Sequence, residues 1–90
     1  MDQSTKEYID TVLAKVLSNE CRVEALTNEV GALFEQQGSL GKAAFMLRVQ
    51  GAYEVAMTDV ITQLNPLNKD AADILESILK QSIDDSLKAR

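Results

Sequence analysis

From Ile9 onward, apolar residues recur alternately three and four positions apart: Ile9, Val12, Val16, Asn19, Val23, Leu26, Val30 and Leu33. Asn19 is the one polar member of a series that never slips. A mean spacing of 3.5 marks a helix whose apolar seam follows a neighbouring helix, with these residues alternating between heptad positions a and d. The a positions (Ile9, Val16, Val23, Val30) are all β-branched, and the last d positions (Leu26, Leu33) are Leu. That combination favours parallel two-stranded coils. Across a dimer axis Asn19 meets its own copy, satisfying it and penalising other registers. Lys15 at g and Glu20 at the next e set opposite charges on the two flanks of the seam. The other flanking positions (Tyr8, Leu13, Arg22, Thr27, Glu29, Phe34) are partly apolar, which predicts further helices packed beside it. We therefore expect a homodimer interface built from the eight seam residues, flanked by Lys15 and Glu20. Alternatively, the same stripe belongs to the long helix of a monomeric three-helix bundle.

Local signals set the element boundaries. Ser4-Thr5-Lys6-Glu7 has the form of a capping box, in which Ser4 caps the helix and Glu7 reaches back to its amide. The first helix is expected over 5–36, reading through Gly31, which lowers local propensity by about 1 kcal/mol relative to Ala. At 1.5 Å per residue it is roughly 45–50 Å long. A turn over Gly38–Gly41 follows, and Ser39 is expected to cap a second helix over 40–64. The clearest stripe of that helix is Met46, Val49, Tyr53, Met57, Val60 and Leu64, with a second patch at Leu40, Ala44, Leu47 and Gly51. Two apolar faces predict a helix buried between others. Pro66 pushes Asn65 out of the helical region and ends it. Either Asn65 or Asn68 then caps a third helix over 67–88. Its stripe is Ala71, Ile74, Leu75, Ile78, Leu79 and, more weakly, Ile83 and Leu87. Asp70 and Asp73 near its start and Lys88 and Arg90 near its end suit the helix dipole. The expected fold is all-α: one domain over 1–90, with a long N-terminal coiled-coil helix and two shorter ones, three-helix-bundle-like and dimeric.

Composition narrows the class. Hydrophobic residues make up 46% of the chain but aromatic residues only 4%, so the core must be aliphatic. The net charge of −5, with no basic cluster, argues against nucleic acid and against acidic lipid surfaces. The longest apolar run, Ala43 to Leu47, falls far short of the roughly 20 residues of a membrane helix. The start, Met1-Asp2-Gln3-Ser4, has neither the basic nor the apolar region of a signal peptide. A cytoplasmic protein is expected, and the single Cys excludes an internal disulfide framework.

The same composition leaves little chemistry. There is no His, which removes the commonest general base and metal ligand. One Cys and no His make a zinc site untenable. Cys21 falls at heptad position f, so an incidental outward-facing thiol is expected, without a base to activate it. Gly38-Ser39-Leu40-Gly41-Lys42 lacks phosphate-loop spacing and has no preceding strand, and is taken as a turn. Asp84 and Asp85 diverge by about 100° on a helix and cannot share a proton or a metal simply. Met46 and Met57 are expected to fill the core. No catalytic residue, metal site or cofactor is predicted.

The element order, with Cys21 and Val23-Glu24-Ala25-Leu26 in the first helix, Val49-Gln50-Gly51-Ala52-Tyr53-Glu54-Val55 in the second and Ile78-Leu79-Lys80 in the third, resembles the small enterobacterial IraP-type anti-adaptors. These proteins block an adaptor that delivers a stress sigma factor to proteolysis. The third helix departs from the group: it lacks the Pro-rich approach and the basic C-terminal end, and no functional residue is carried over. The seam and the missing chemistry point to a non-enzymatic protein–protein interaction module acting as a dimer on an unidentified protein partner, and the resemblance implies a small regulatory adaptor or inhibitor. The alternative is a secretion-system chaperone or a phage-encoded structural or assembly protein.

Overall fold

A computed structural model describes residues 2–35 and 41–89. Three helices, α1 (Gln3–Glu35), α2 (Lys42–Leu64) and α3 (Lys69–Lys88), each pack against the other two, with no strand among the described residues. The all-α expectation holds, with a long first helix followed by two shorter ones. The longest dimension, 52 Å, is close to the length of α1 itself.

The helix ends differ from expectation in instructive ways. Asp2, not Ser4, caps α1: its Oδ1 accepts from the Thr5 amide at 2.7 Å. That donation holds the Asp2 carboxyl below its usual range. Asp2 outcompetes Ser4 because an ionised carboxylate is the stronger acceptor for helix-end amides. Glu7 instead accepts from the Gln3 side chain at 3.1 Å. The helix continues through Gly31. Gly41 is extended just before α2, and the expected Ser39 cap lies outside the described residues, as does Gly38–Leu40 of the turn.

The α2 helix ends at Leu64 as expected, yet Asn65 keeps helical dihedrals (φ −52°, ψ −46°) despite the proline after it. Its amide still donates to the Ile61 carbonyl at 2.9 Å. The amides of Leu67 and Asn68 both converge on the Leu64 carbonyl at 2.9 and 2.8 Å. These bonds offset the steric preference that a proline imposes on its predecessor. Of the two candidate caps for α3, Asn68 is the one: its side-chain oxygen accepts from the Ala71 amide at 3.1 Å.

The core joins Val49, Tyr53 and Met57 of α2 to Leu75 of α3, over Ala14, Cys21 and Ala25 of α1. Small α1 side chains let the other helices approach its backbone closely. Three sequence expectations are corrected here. Cys21 is not on the outer face: it is 2% exposed within this core. Met46 is half exposed rather than core filler, whereas Met57 is fully buried. The second patch of α2 faces outward too, with Ala44, Leu47 and Gly51 exposed, so α2 is covered on one face and not on two. Along α3, Ala71 and Leu75 are buried, Ile74, Ile78, Leu79 and Ile83 are half-buried, and Leu87 is exposed.

Polar contacts tie the ends of the bundle. Asp10 is the one charged side chain buried among the described residues. It accepts from Lys6 Nζ at 2.7 Å and Asn68 Nδ2 at 3.0 Å. Lys6 also reaches Asp70 at 2.7 Å, so one cation bridges α1 to the start of α3. The Lys6 and Asn68 hydrogen bonds hold the Asp10 carboxyl below its usual value, and the bonds to Asp10 and Asp70 raise Lys6. Further along, Arg48 Nε lies 3.0 Å from Glu29 Oε2, an ion pair in which the N–H does not point at the oxygen.

Candidate functional site: an open seam and a polar-floored groove

Two residues along a helix are about 200° apart. Val23 therefore lies nearly opposite Cys21, and Val12 and Val16 nearly opposite Ala14. The α1 helix accordingly has two apolar faces on opposite sides. The bundle covers the face with Ala14, Cys21 and Ala25. The other face carries the sequence-predicted seam, where Ile9, Val12, Val16, Val23, Leu26 and Val30 are 37–62% exposed. Asn19 is exposed on the same face, and Leu33 is half-buried. Lys15 and Glu20 are exposed on its flanks, while the flanking Arg22 and Glu29 turn toward α2. A shallow depression of about 420 Å³ runs along the seam between Val16, Asn19, Glu20, Val23 and Glu24. The seam residues are thus brought onto one continuous surface, and none of them joins the buried core.

A second surface was not foreseen in the sequence. Where α1, α2 and α3 diverge, they enclose an open groove of about 880 Å³. Its floor is a polar layer beside the apolar core, with Tyr53 common to both. The Arg22 guanidinium stacks on the Tyr53 ring, 3.6 Å from the centroid. Arg22 Nη1 donates to Gln50 Oε1 at 3.0 Å, and Nη2 donates to Ser82 Oγ at 3.3 Å. Gln50 Nε2 also donates to Ser82 Oγ, at 3.0 Å. The Tyr53 hydroxyl, on a ring 1% exposed, shares a 2.7 Å hydrogen bond with Ser18. A buried phenol with a partner avoids the cost of a stranded hydroxyl. Met46 and Leu47 form an apolar rim on the α2 side. Arg22, Gln50 and Ser82 lie on three different helices, so no local spacing marks them. The weak clue was an Arg at a flanking heptad position whose only like-register partner, Thr27, carries no charge.

Among the described residues no three Cys, Asp or Glu side chains cluster as metal ligands, and Asp84 and Asp85 are both exposed. Burial pushes the Cys21 thiol up, and the carboxylates of Glu24 and Glu20 add to the shift. A higher thiol pKa means less thiolate, the opposite of an activated nucleophile. No helix among the described residues is long and apolar enough to cross a membrane. Comparison of the chain with protein-family models, curated proteins and solved structures finds no match.

Proposed function

We propose that this chain is a non-enzymatic protein–protein interaction module that works as a homodimer, a small regulatory adaptor or inhibitor of another protein. One observation carries the dimer: α1 is apolar on two opposite faces, and its own chain covers only one. Monomeric proteins rarely leave a long contiguous apolar stripe in water. A second copy is the occupant that fits, because the stripe keeps coiled-coil period and carries its own register marks. In a parallel pair at full overlap, Asn19 meets Asn19 and each Lys15 meets a Glu20 of the other copy. A reversed neighbour at the same overlap would set Asn19 against Val23 and Glu20 beside Glu20. The parallel arrangement satisfies the polar residue and avoids like charges. The absence of His from the sequence, together with a thiol pushed away from its reactive form, supports a non-catalytic role.

Sedimentation velocity of the wild type over a concentration series, beside Val23→Asp, tests the dimer. Burying a Val side chain is worth about 1.5–3 kcal/mol. Losing it from both copies, and facing two carboxylates instead, should weaken association by at least about 100-fold. Val23 is 62% exposed in the single chain, so helicity and melting of the variant monomer should stay unchanged. A wild type that remains monomeric throughout, or a Val23→Asp dimer as tight as the wild type, would refute the seam.

A further inference from the structure

The groove between the three helices holds a cation, Arg22, that no carboxylate among the described residues contacts as an ion pair. Arg22 is half-buried at the groove's floor. Stacking on Tyr53 and the bonds to Gln50 and Ser82 hold the guanidinium in place. Only two of its N–H groups are engaged by these bonds, out of about five that a guanidinium offers. Ser82 Oγ accepts from both Arg22 and Gln50, which leaves its own hydrogen to donate. The floor around Arg22 and Ser82 therefore offers a fixed positive charge with spare donors, while Asn19, Gln81 and Asp85 supply acceptors elsewhere along the groove. Its chemical complement is a carboxylate, for which a pre-positioned guanidinium is the strongest side-chain receptor.

The walls add two further constraints. Met46 and Leu47 are half exposed at the rim, so the ligand needs apolar groups beside its acid. Asp85 also lines the groove and opposes any anion in proportion to its charge, so a single carboxylate held on Arg22 is favoured over phosphates and polyanions. The groove is an open trough, so an acyl chain lying in it would keep one side in water, unlike the largely enclosed ligands of small-molecule sites. A helix, about 10 Å across with its side chains, would cover both the rim and the floor. The trough reaches from the first turns of α2 to Ala89 just past α3, where the bundle itself supplies no fourth helix.

We propose that this groove docks an amphipathic helix of another protein, one that places a single Asp or Glu from its apolar face onto Arg22 and Ser82. This names the partner chemistry for the interaction module above, and it uses a surface distinct from the seam. The two therefore fail separately: Val23→Asp should abolish the dimer and leave helix binding intact.

The probe is a displayed library of short amphipathic helices with one position on the apolar face fully randomised, selected in parallel on the wild type and on Arg22→Gln. Asp and Glu should be enriched at that position on the wild type and not on the variant. A selected peptide, measured by fluorescence anisotropy, should bind Arg22→Gln about 10- to 100-fold more weakly. Leu47→Asp changes only the exposed rim, so the fold is preserved even where Arg22→Gln destabilises it. It too should weaken binding, by at least about tenfold. Enrichment of neutral or basic residues, absence of any enrichment, equal binding to both Arg22→Gln and Leu47→Asp, or tighter binding of dodecanoate than of every selected helix would each overturn the proposal.

Discussion

Alkylation of Cys21 in the native protein measures which face of α1 the bundle covers. The thiol is 2% exposed, packed among Val49, Tyr53 and Met57. It sits mid-helix, so exposing it means pulling α1 away from both other helices and not fraying an end. Burial, with Glu24 and Glu20 nearby, also disfavours its thiolate. Reaction then proceeds only from opened molecules, at the unfolded rate multiplied by the open fraction. For a small domain of about 5 kcal/mol stability, that fraction suppresses labelling by roughly 10³- to 10⁴-fold. The assay is iodoacetamide labelling followed by mass spectrometry, with a urea-unfolded sample as the reference. Leu75→Ala supplies an internal check. It truncates a fully buried side chain at a cost of about 2–5 kcal/mol and should speed native labelling by about 30-fold or more. Native labelling within tenfold of the unfolded rate would refute the placement of Cys21. It would also return the bundle-facing side of α1 to the β-branched stripe, leaving no open seam.

Two further predictions concern the polar contacts. Because Lys6 and Asn68 hold the folded Asp10 carboxyl below its unfolded value, Asp10 contributes stability above about pH 4, and that stability is lost as pH falls through the lowered folded value. Chemical denaturation as a function of pH should therefore show a falling acid limb that is shallower in Asp10→Asn; superimposable limbs would count against the Lys6–Asp10–Asn68 link. Tyr53→Phe should cost about 1 kcal/mol in thermal or urea unfolding, because it removes the bond to Ser18 while keeping the ring under Arg22. A cost near that of a full core truncation would mean the phenol does more than pair with Ser18.

The pattern along α1 made both the helix and its open face legible. Asn68 was among the candidate caps because a short polar side chain before an acidic first turn signals a helix start. The buried face of α1 was missed, although Asp10, Ala14, Leu17, Cys21 and Ala25 also recur three or four residues apart. Small side chains carry little hydrophobic weight, so a scale tuned to large aliphatics ranks that face below the Val and Leu stripe. Met46 and Leu47 were misplaced for a related reason. The spacing of Met46 fits the α2 stripe and Leu47 belongs to the second patch, but no helix of the bundle covers either one. The Arg22, Gln50, Tyr53 and Ser82 layer depends on three helices meeting, and no local spacing encodes such a meeting.

The division of labour on α1 bears on why the chain is built this way. A self-sufficient three-helix bundle gains most by turning its largest apolar side chains inward, since stabilisation scales with the apolar area removed from water. Here the inward face has Ala14, Leu17, Cys21 and Ala25, only one of them large, while Ile9, Val12, Val16, Val23, Leu26 and Val30 face out. Rotating α1 by half a turn would bury the larger set, but it would bring bulky branched residues where Tyr53 and Met57 now lie close to the helix. It would also leave Asp10 away from Asn68 and Arg22 away from Gln50 and Ser82, stranding partners that the observed orientation satisfies. The orientation of α1 is thus fixed by polar pairing and close approach, at the expense of an apolar stripe in water. In the dimer proposed above a second α1 removes that stripe from solvent, and the 3.5-residue period of the stripe suits such a neighbour.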